Sequence, residues 1–276
     1  MAAQVAAAVG IFRWVAPQVF DAEWRQPLPI LAWTVLLGLP LSLFEYLYHR
    51  YLLHASVLPF LASMHHAHSV HHGLTYVKAP VTPMEPAKLV PVNSAFPVED
   101  EHQEESMMFP YWALAIFLVV FTILLAAPLK LMLPGQPIFI SVIFSVALYY
   151  SAYEIWHAIL HLPFERFWQP LMESRVFGRL TRRMYSFHLL HHWRPKSNLA
   201  VVGFWGFAVW DHAFRTHRRP ERLPLKGAEV NYNDGSLAKP LWPIRLLDRW
   251  QGGLTKASRA TERFLAKIFL RRRPTR

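Results

Sequence analysis

The sequence predicts an all-α integral membrane protein, a helical bundle of three or four spans with a helical cap on the cytoplasmic side. Three observations predict this class. The 276-residue chain is 53% hydrophobic and only 17% charged, whereas soluble domains average about 25% charged residues. It contains three apolar stretches long enough to cross a hydrocarbon core. Its basic residues are concentrated in the C-terminal part, which is typical of the cytoplasmic flanks of membrane helices.

The predicted spans are residues 28–48, 110–133 and 137–157. Pro40 should kink the first helix rather than end it, because neighbouring helices can satisfy the carbonyl that a proline frees. Pro134 and Gly135 are a turn signal, so the second and third spans are predicted to form a hairpin with a very short loop. Residues 1–20 are apolar but contain Arg13 and do not resemble a signal peptide. They form either a first span or an interfacial helix.

The charge of the chain is unevenly distributed. Residues 1–162 hold 6 Lys and Arg against 10 Asp and Glu, whereas residues 163–276 hold 23 against 8. A basic region of this kind binds nucleic acid or anionic lipid. The apolar spans favour anionic lipid, so nucleic acid is not an expected partner. The end of the chain, 261–276, has apolar residues at helical spacing among cations. This pattern indicates an interfacial helix or, equally, an ordinary amphipathic end helix.

The predicted cap comprises residues 49–109 and 163–276, and the whole chain is predicted to form a single membrane-embedded domain. Within the cap, the segment 73–109 contains five prolines and 6 of the 18 acidic residues. Such a composition predicts a solvated loop.

The histidines are the most informative residues. The chain has 15 histidines and no cysteine, which excludes disulfides, thiolate metal sites and cysteine nucleophiles. Ten of the histidines fall into four closely spaced groups. These are His49 and His54; His68, His71 and His72; His157 and His161; and His188, His191 and His192.

Helical geometry gives these spacings a meaning. Residues i, i+3 and i+4 lie on one helix face, so each H-x2-H-H triplet should present three imidazoles from one stripe. His49 and His54 are five residues apart and would lie about 140° apart on a straight helix. Either the helix ends between them or they serve different metals.

Ten imidazoles exceed the need of one metal ion, and two ions with four to six ligands each would use them fully. Imidazole suits iron, zinc, copper and nickel. A ligating imidazole usually donates its other N–H to a carboxylate or carbonyl, and Glu45 and Glu154 precede His49 and His157 by four and three residues. Each group follows or ends an apolar span, or lies in the polar segment after it, so all four can meet at one membrane face. The cap is therefore predicted to hold a histidine-rich di-metal site. His65, His66, His102, His212 and His217 lack such support.

Four stretches carry a family resemblance: EYLYHRYLLH (45–54), HSVHH (68–72), YEIWHAILH (153–161) and HLLHHWRPKSNLAVVGFWGFAVWDHAFRT (188–216). Together they resemble the fatty acid hydroxylase / sterol desaturase superfamily of integral-membrane non-haem di-iron enzymes, and most closely its fatty acid 2-hydroxylases. The resemblance covers residues 28–216. It implies that the ten grouped histidines bind two iron ions, that Asp211 is a supporting residue beside them, and that O2 is a co-substrate.

The resemblance further implies a lipid monooxygenase that hydroxylates a fatty-acyl chain, with the 2-position as the site used by the nearest branch. Zinc would also fit the imidazoles in purified protein. The expected location is a bacterial inner membrane or the endoplasmic reticulum, with the site on the cytoplasmic side. The chain lacks cysteine and a G-x-G-x-x-G nucleotide fingerprint, so a separate electron-donor protein is expected.

Two features depart from the family pattern. The segment 73–109 is longer and more acidic than the matching loop, which leaves the acyl-chain or headgroup choice open, and His212 is unexpected after Asp211. The alternatives are a desaturase, or a sterol, carotenoid or lipid-headgroup hydroxylase. More distant ones are a membrane metal transporter, which would place ionisable residues along mid-span, and a haem electron carrier, which has no use for H-x2-H-H triplets.

Overall fold

The chain is mostly helical (68%). The computed structural model describes residues 1–58, 61–78, 89–231 and 239–270, without the side chains of residues 266 and 268–270. Its α-helices are α1 Ala2–Val15, α2 Pro17–Trp24, α3 Pro27–Leu36, α4 Gly38–Tyr48, α5 Ala62–Leu74, α6 Glu101–Met107, α7 Ala113–Phe121, α8 Ala127–Met132, α9 Ile138–Leu160, α10 Gln169–Glu173, α11 Gly178–Trp193, α12 Val209–Ala213 and α13 Trp242–Leu270. The described residues also include three π-helical segments, His49–Leu53, Thr122–Ala126 and Phe164–Trp168.

Four short strands accompany the helices in the described chain, which the all-α prediction omitted. They are β1 Val77–Lys78, β2 Leu89–Pro91, β3 Asn93–Ser94 and β4 Glu229–Asn231. The strands form two antiparallel pairs, β1 with β3 and β2 with β4, in which Val77 lies opposite Ser94 and Val90 opposite Val230. Strands of two or three residues are too short to give a periodic signal in a sequence.

These strands correct the prediction of a solvated loop for the described residues of 73–109; residues 79–88 lie outside the described chain. Val90, Val92, Ser94 and Phe96 are buried, whereas the residues between them are exposed or half-buried. This alternation of buried and more exposed residues is the period of a half-buried strand. Of the acids in the segment, Glu85 lies outside the described residues.

Three helical stretches of the described chain are long and apolar enough to cross a membrane: Pro27–Leu53, Ala113–Met132 and Ile138–Leu160. They match the predicted spans to within five residues at each end and indicate a membrane protein. α1 has 14 residues, about 21 Å, which is shorter than a hydrocarbon core of about 30 Å. The described residues 1–20 thus contain a shorter apolar helix, and the choice between a first span and an interfacial helix stays a prediction.

As predicted, Pro40 does not end the first span. α3 ends at Leu36 and α4 begins at Gly38. This interruption lies about one turn before Pro40, because a proline has no N–H to bond the carbonyl four residues earlier. At this interruption the indole N–H of Trp205 donates to the carbonyl of Val35 at 2.8 Å. The indole ring lies so close to Gly38 that a Cβ there would come within 3.0 Å of three ring atoms. Glycine is therefore required here by the close approach of the ring.

Gly38→Ala is expected to destabilise the protein by about 1–3 kcal/mol, because the added methyl group must displace a hydrogen-bonded indole. The matched control is Gly10→Ala in α1, where a Cβ would meet nothing within 4 Å and where alanine should stabilise the helix by about 0.5–1 kcal/mol. Thermal unfolding in detergent measures both. Equal midpoints for the two variants would contradict the packing of Trp205 on Gly38.

The chain divides into two compact units. The first unit comprises Met1–Phe44, Met108–His157 and Val202–Phe207. Its core includes Phe20, Ile30 and Ile140. A buried carboxylate, Glu23, lies 2.7 Å from the ammonium of Lys130 and accepts the Ile140 N–H at 2.9 Å. That hydrogen bond supplies a partner to one of the amides left open at the start of α9.

The second unit comprises Glu45–Met107, Ala158–Val201 and Ala208–Arg276. Its core includes Tyr46, Leu199 and Ile244. α13 covers most of the predicted end helix 261–276, of which residues 271–276 lie outside the described chain. The prediction that the whole chain forms one membrane-embedded domain stays a prediction.

Candidate metal centre

The structure brings the ten grouped histidines into two sets of five. In each set, one ligand nitrogen per residue lies within 4.8 Å of all the others. The first histidine group is His49, His54, His68, His72 and His191, and the second histidine group is His71, His157, His161, His188 and His192. Nine of the ten residues belong to the second unit, and His157 lies near the end of α9.

Each H-x2-H-H triplet divides between the two groups, which corrects the prediction of one stripe. His68 and His72 join the first group, and His71 between them joins the second. On a helix, i and i+4 are about 40° apart, whereas i+3 lies about 60° to the other side of i. α5 and α11 therefore each supply ligands to both groups, because His188 and His192 separate from His191 in the same way.

His49 and His54 belong to the same group because the helix changes type between them. α4 ends at Tyr48, and a π turn over His49–Leu53 follows, closed by the His54 N–H bond to the His49 carbonyl at 3.1 Å. A π turn pairs residues i and i+5, so it brings the two imidazoles to one side. Their rings are stacked at 5.0 Å. The α-helix does end before His54, and the two residues do not serve different groups.

The Nε2 atoms of the first group converge. Those of His49 and His68 are 3.1 Å apart, and those of His68 and His54 are 3.2 Å apart. The Nε2 atoms of His54 and His191 are again 3.1 Å apart. Nitrogens bound at about 2.0–2.1 Å to one metal ion and about 90° apart are separated by about 3 Å. The spacing therefore fits a metal ion between these imidazoles.

The second group has the same character. The Nε2 atoms of His161 and His188 are 3.1 Å apart, and the buried Nε2 of His192 has no hydrogen-bond partner among the described residues. The His161 ring lies 4.3 Å from the ring of Phe96. A buried nitrogen without a hydrogen-bond partner is open to a metal ion, and this group could hold one.

Backbone carbonyls fix the tautomers of four imidazoles. Because a carbonyl only accepts, the Nδ1 that faces it must carry the proton, and the Nε2 lone pair is left for a metal ion. The four pairs are His49 with the Leu199 carbonyl at 2.5 Å, His191 with Ser197 at 2.9 Å, His161 with Phe96 at 2.7 Å and His192 with Thr75 at 2.7 Å. Two of these four imidazoles belong to each group, so both groups have imidazoles whose Nε2 lone pair can bind a metal ion.

Burial keeps these imidazoles neutral. It lowers the pKa of His161 from 6.5 to about 4, although the bond to the Phe96 carbonyl opposes the shift. Burial also lowers the pKa of His68 and His192 well below 6.5, and neighbouring histidines lower it further. Neutral imidazole is the form that binds metal ions.

Asp211 and Glu45 hold the backbone segment 199–201, in which the Leu199 carbonyl accepts the Nδ1–H of His49. Fully buried Asp211 accepts the N–H groups of Leu199 and Ala200, each at 3.0 Å, and the hydroxyl of Thr216 at 2.7 Å. Burial raises the pKa of Asp211, and these three hydrogen bonds oppose the rise. Glu45 accepts the Val201 N–H at 2.7 Å. The two carboxylates thus hold residues 199–201 in place.

The sequence predicted Glu45 and Glu154 as direct acceptors of imidazole N–H groups. Instead, the Nδ1 of His49 donates to the Leu199 carbonyl, while Glu45 holds the neighbouring chain. Glu154 accepts the Phe109 N–H at 3.1 Å, within the first unit. Sequence reasoning missed the carbonyls of Phe96, Ser197 and Thr75, which are backbone atoms and leave no residue-type signal.

The other histidines stand outside the two groups. His65 Nδ1 donates to the Leu53 carbonyl at 2.8 Å, and His66 and His102 are exposed. The rings of His212 and His217 stack at 4.1 Å. Burial, His212 and Arg219 lower the pKa of His217 to about 4.

No protein-family model matches this chain, and no curated protein and no solved structure does either. The class of protein is therefore defined by fold and site alone. It is a mostly helical chain with three helices that could span a membrane and two buried histidine groups that could each hold a metal ion.

Proposed function

We propose that this chain is an O2-dependent lipid hydroxylase of the fatty acid hydroxylase / sterol desaturase superfamily, with two iron ions held by the two histidine groups. One observation carries the proposal: ten imidazoles form two groups of five, in a chain with three potential spans. Iron ions bound there would supply dioxygen chemistry capable of removing hydrogen from an unactivated C–H bond.

The protein's own share of this chemistry is positioning and electronic tuning. Carbonyls of Leu199, Ser197, Phe96 and Thr75 hold four imidazoles by their Nδ1–H groups. Among the residues that the structure describes, both groups consist of histidine alone, and these offer no anionic ligand to offset the charge of the ions. The site would therefore be electron-poor, which favours an oxidising role.

The two groups are also in direct contact and share two helices, which supports a single di-metal site over two independent ones. The rings of His72, of the first group, and His192, of the second, stack at 4.0 Å. α5 and α11 supply both groups. Two ions bound there would be held by the same pair of helices.

Chain topology supports a site at one membrane face. Three spans place the residues that follow the first and the third on the same side, together with the histidines at those span ends. The excess of Lys and Arg in residues 163–276 favours the cytoplasmic side, of a bacterial inner membrane or the endoplasmic reticulum. We propose likewise that the spans form a membrane bundle with a cytoplasmic cap, and that the whole chain is a single membrane-embedded domain.

The substrate we propose is a fatty-acyl chain supplied by the bilayer, with oxidation at the 2-position as in the branch that the sequence resembles. A separate electron-donor protein would supply reducing equivalents, and anionic lipid would bind the basic C-terminal region. A desaturase, or a sterol, carotenoid or headgroup hydroxylase, would use the same metal site. A metal transporter is less well supported, because the histidines lie at or beyond span ends and not along mid-span.

Lipid mass spectrometry of cells with and without the gene tests the proposal. In cells that contain the protein, we expect a lipid species that is heavier by one oxygen atom. This species should be missing from cells that contain His191→Ala instead. A lipid that loses two hydrogens would favour the desaturase. Unchanged lipids in cells that contain the iron-loaded protein would contradict both.

A further inference from the structure

The long helix α13 divides into three sectors. It has 29 residues, and one sector packs within the second unit, where Ile244 and Ser258 are 1% and 4% exposed. The same sector bears Asp248, which bonds Arg50, and Glu262, which accepts the Ser56 hydroxyl at 3.2 Å. These are the only acids of the helix, and both are engaged on its packed side.

A second sector is apolar and exposed. Trp242, Leu246, Trp250 and Leu254 are 67%, 37%, 60% and 54% exposed. They follow one another at steps of four residues and so form a row that turns only about 40° per step. Two tryptophans and two leucines along about three and a half turns are too much apolar surface to leave in water without a partner.

The third sector is cationic. On a wheel of 100° per residue, the six basic residues of the helix fall between the apolar row and the packed face, along one flank of the helix. They are Arg245, Arg249, Lys256, Arg259, Arg263 and Lys267, and all six are exposed. The exposed surface of the described helix therefore combines apolar and positive groups and carries no acid.

The packed side of α13 is fixed to the end of the first candidate span. Arg50 donates to the two Asp248 carboxylate oxygens at 2.9 and 2.7 Å, and the Tyr51 hydroxyl donates to the same carboxylate at 3.1 Å. Arg50 and Tyr51 lie in the last turn of Pro27–Leu53. The helix thus passes the point at which the chain would leave the bilayer.

We propose that α13 lies on an anionic phospholipid bilayer, with the row from Trp242 to Leu254 in the headgroup and acyl boundary and the cations against lipid phosphates. Tryptophan at the polar boundary and cations on an amphipathic helix are the features that bind such a surface. A second copy of this face would bring like charges together. The inference rests on the membrane-spanning part of the proposed function and is independent of its oxygen chemistry.

The full chain has no cysteine, so single labels test the inference directly. Trp250→Cys, on the apolar row, and Gly252→Cys, two residues away, each take one nitroxide spin label. Gly252 is exposed and a Cβ there meets nothing within 4 Å, so it is the matched control. The protein is placed in nanodiscs of phosphatidylcholine with phosphatidylglycerol, and label access to O2 is compared with access to a water-soluble paramagnetic chelate.

The label at residue 250 should be reached by O2 and shielded from the chelate, whereas the label at residue 252 should be open to the chelate. Adding Arg249→Gln should raise the access of the chelate to the label at residue 250 by about five-fold, because one cation no longer faces the lipid phosphates. Equal chelate access at both positions would overturn the inference, and so would spin–spin broadening that reveals a second copy on this face. Neither result would bear on lipid oxidation, which is measured separately.

Discussion

His191→Ala and His71→Ala are each expected to reduce O2-dependent product formation below detection while the protein still inserts into the membrane. His191 belongs to the first histidine group and His71 to the second. The proposed chemistry needs both ions, so loss of a ligand from either group should stop it. His191→Ala also removes the bond from Nδ1 to the Ser197 carbonyl, and His71→Ala opens a cavity at a buried position.

His66→Ala is the matched control for the α5 ligand. His66 lies on the same helix as His71, is exposed and belongs to neither group. This variant should keep wild-type activity. Full activity in both His71→Ala and His191→Ala would contradict the assignment of ligands.

The division of the triplets between the two groups can be tested at one pair of adjacent histidines. His191 and His192 are neighbours in sequence, yet they belong to different groups. The double variant of His191→Ala with His192→Ala should bind less iron than either single variant, because it removes one imidazole from each group. An iron content equal to that of a single variant would contradict the division of the triplet between the two groups.

Asp211→Ala should lower the free energy of unfolding by several kcal/mol. It removes the acceptor of the Leu199 and Ala200 N–H groups and of the Thr216 hydroxyl, and each buried donor left unsatisfied costs about 1–3 kcal/mol. Because Leu199 then no longer holds His49 firmly, iron affinity should fall by about 10–100-fold. Thermal unfolding in detergent and iron titration measure the two effects.

Thr216→Val is the graded control for Asp211. It removes one of the three hydrogen bonds and leaves both backbone bonds in place, so it should cost about 1 kcal/mol and leave iron affinity close to wild type. If Asp211→Ala matched the wild type in both stability and iron affinity, the proposed support of His49 through residues 199–201 would be wrong.

Features encoded locally were predictable from the sequence. Span lengths depend on runs of apolar residues, and all three candidate spans were found within a few residues of their ends. The ten histidines could be grouped because their spacings match helical periods, and the structure brings all ten together.

Features that depend on helix type or on distant backbone were not predictable. The five-residue spacing of His49 and His54 looks unfavourable on an α-helix, and only the π turn that follows Tyr48 reconciles it. The carbonyls of Leu199 and Phe96 orient ligands that lie 150 and 65 residues away. Any residue type carries such a carbonyl, so composition and spacing contain no signal for it.

The central claim is that the two histidine groups form one di-iron site, and an iron count tests it most directly. Metal-stripped protein in detergent is reconstituted with ferrous iron without oxygen, freed of unbound metal and analysed for iron per chain. The account predicts two iron ions per chain in the wild type and a loss in both His71→Ala and His191→Ala. One iron per chain or none in the wild type, or a full content of two in both variants, would contradict it.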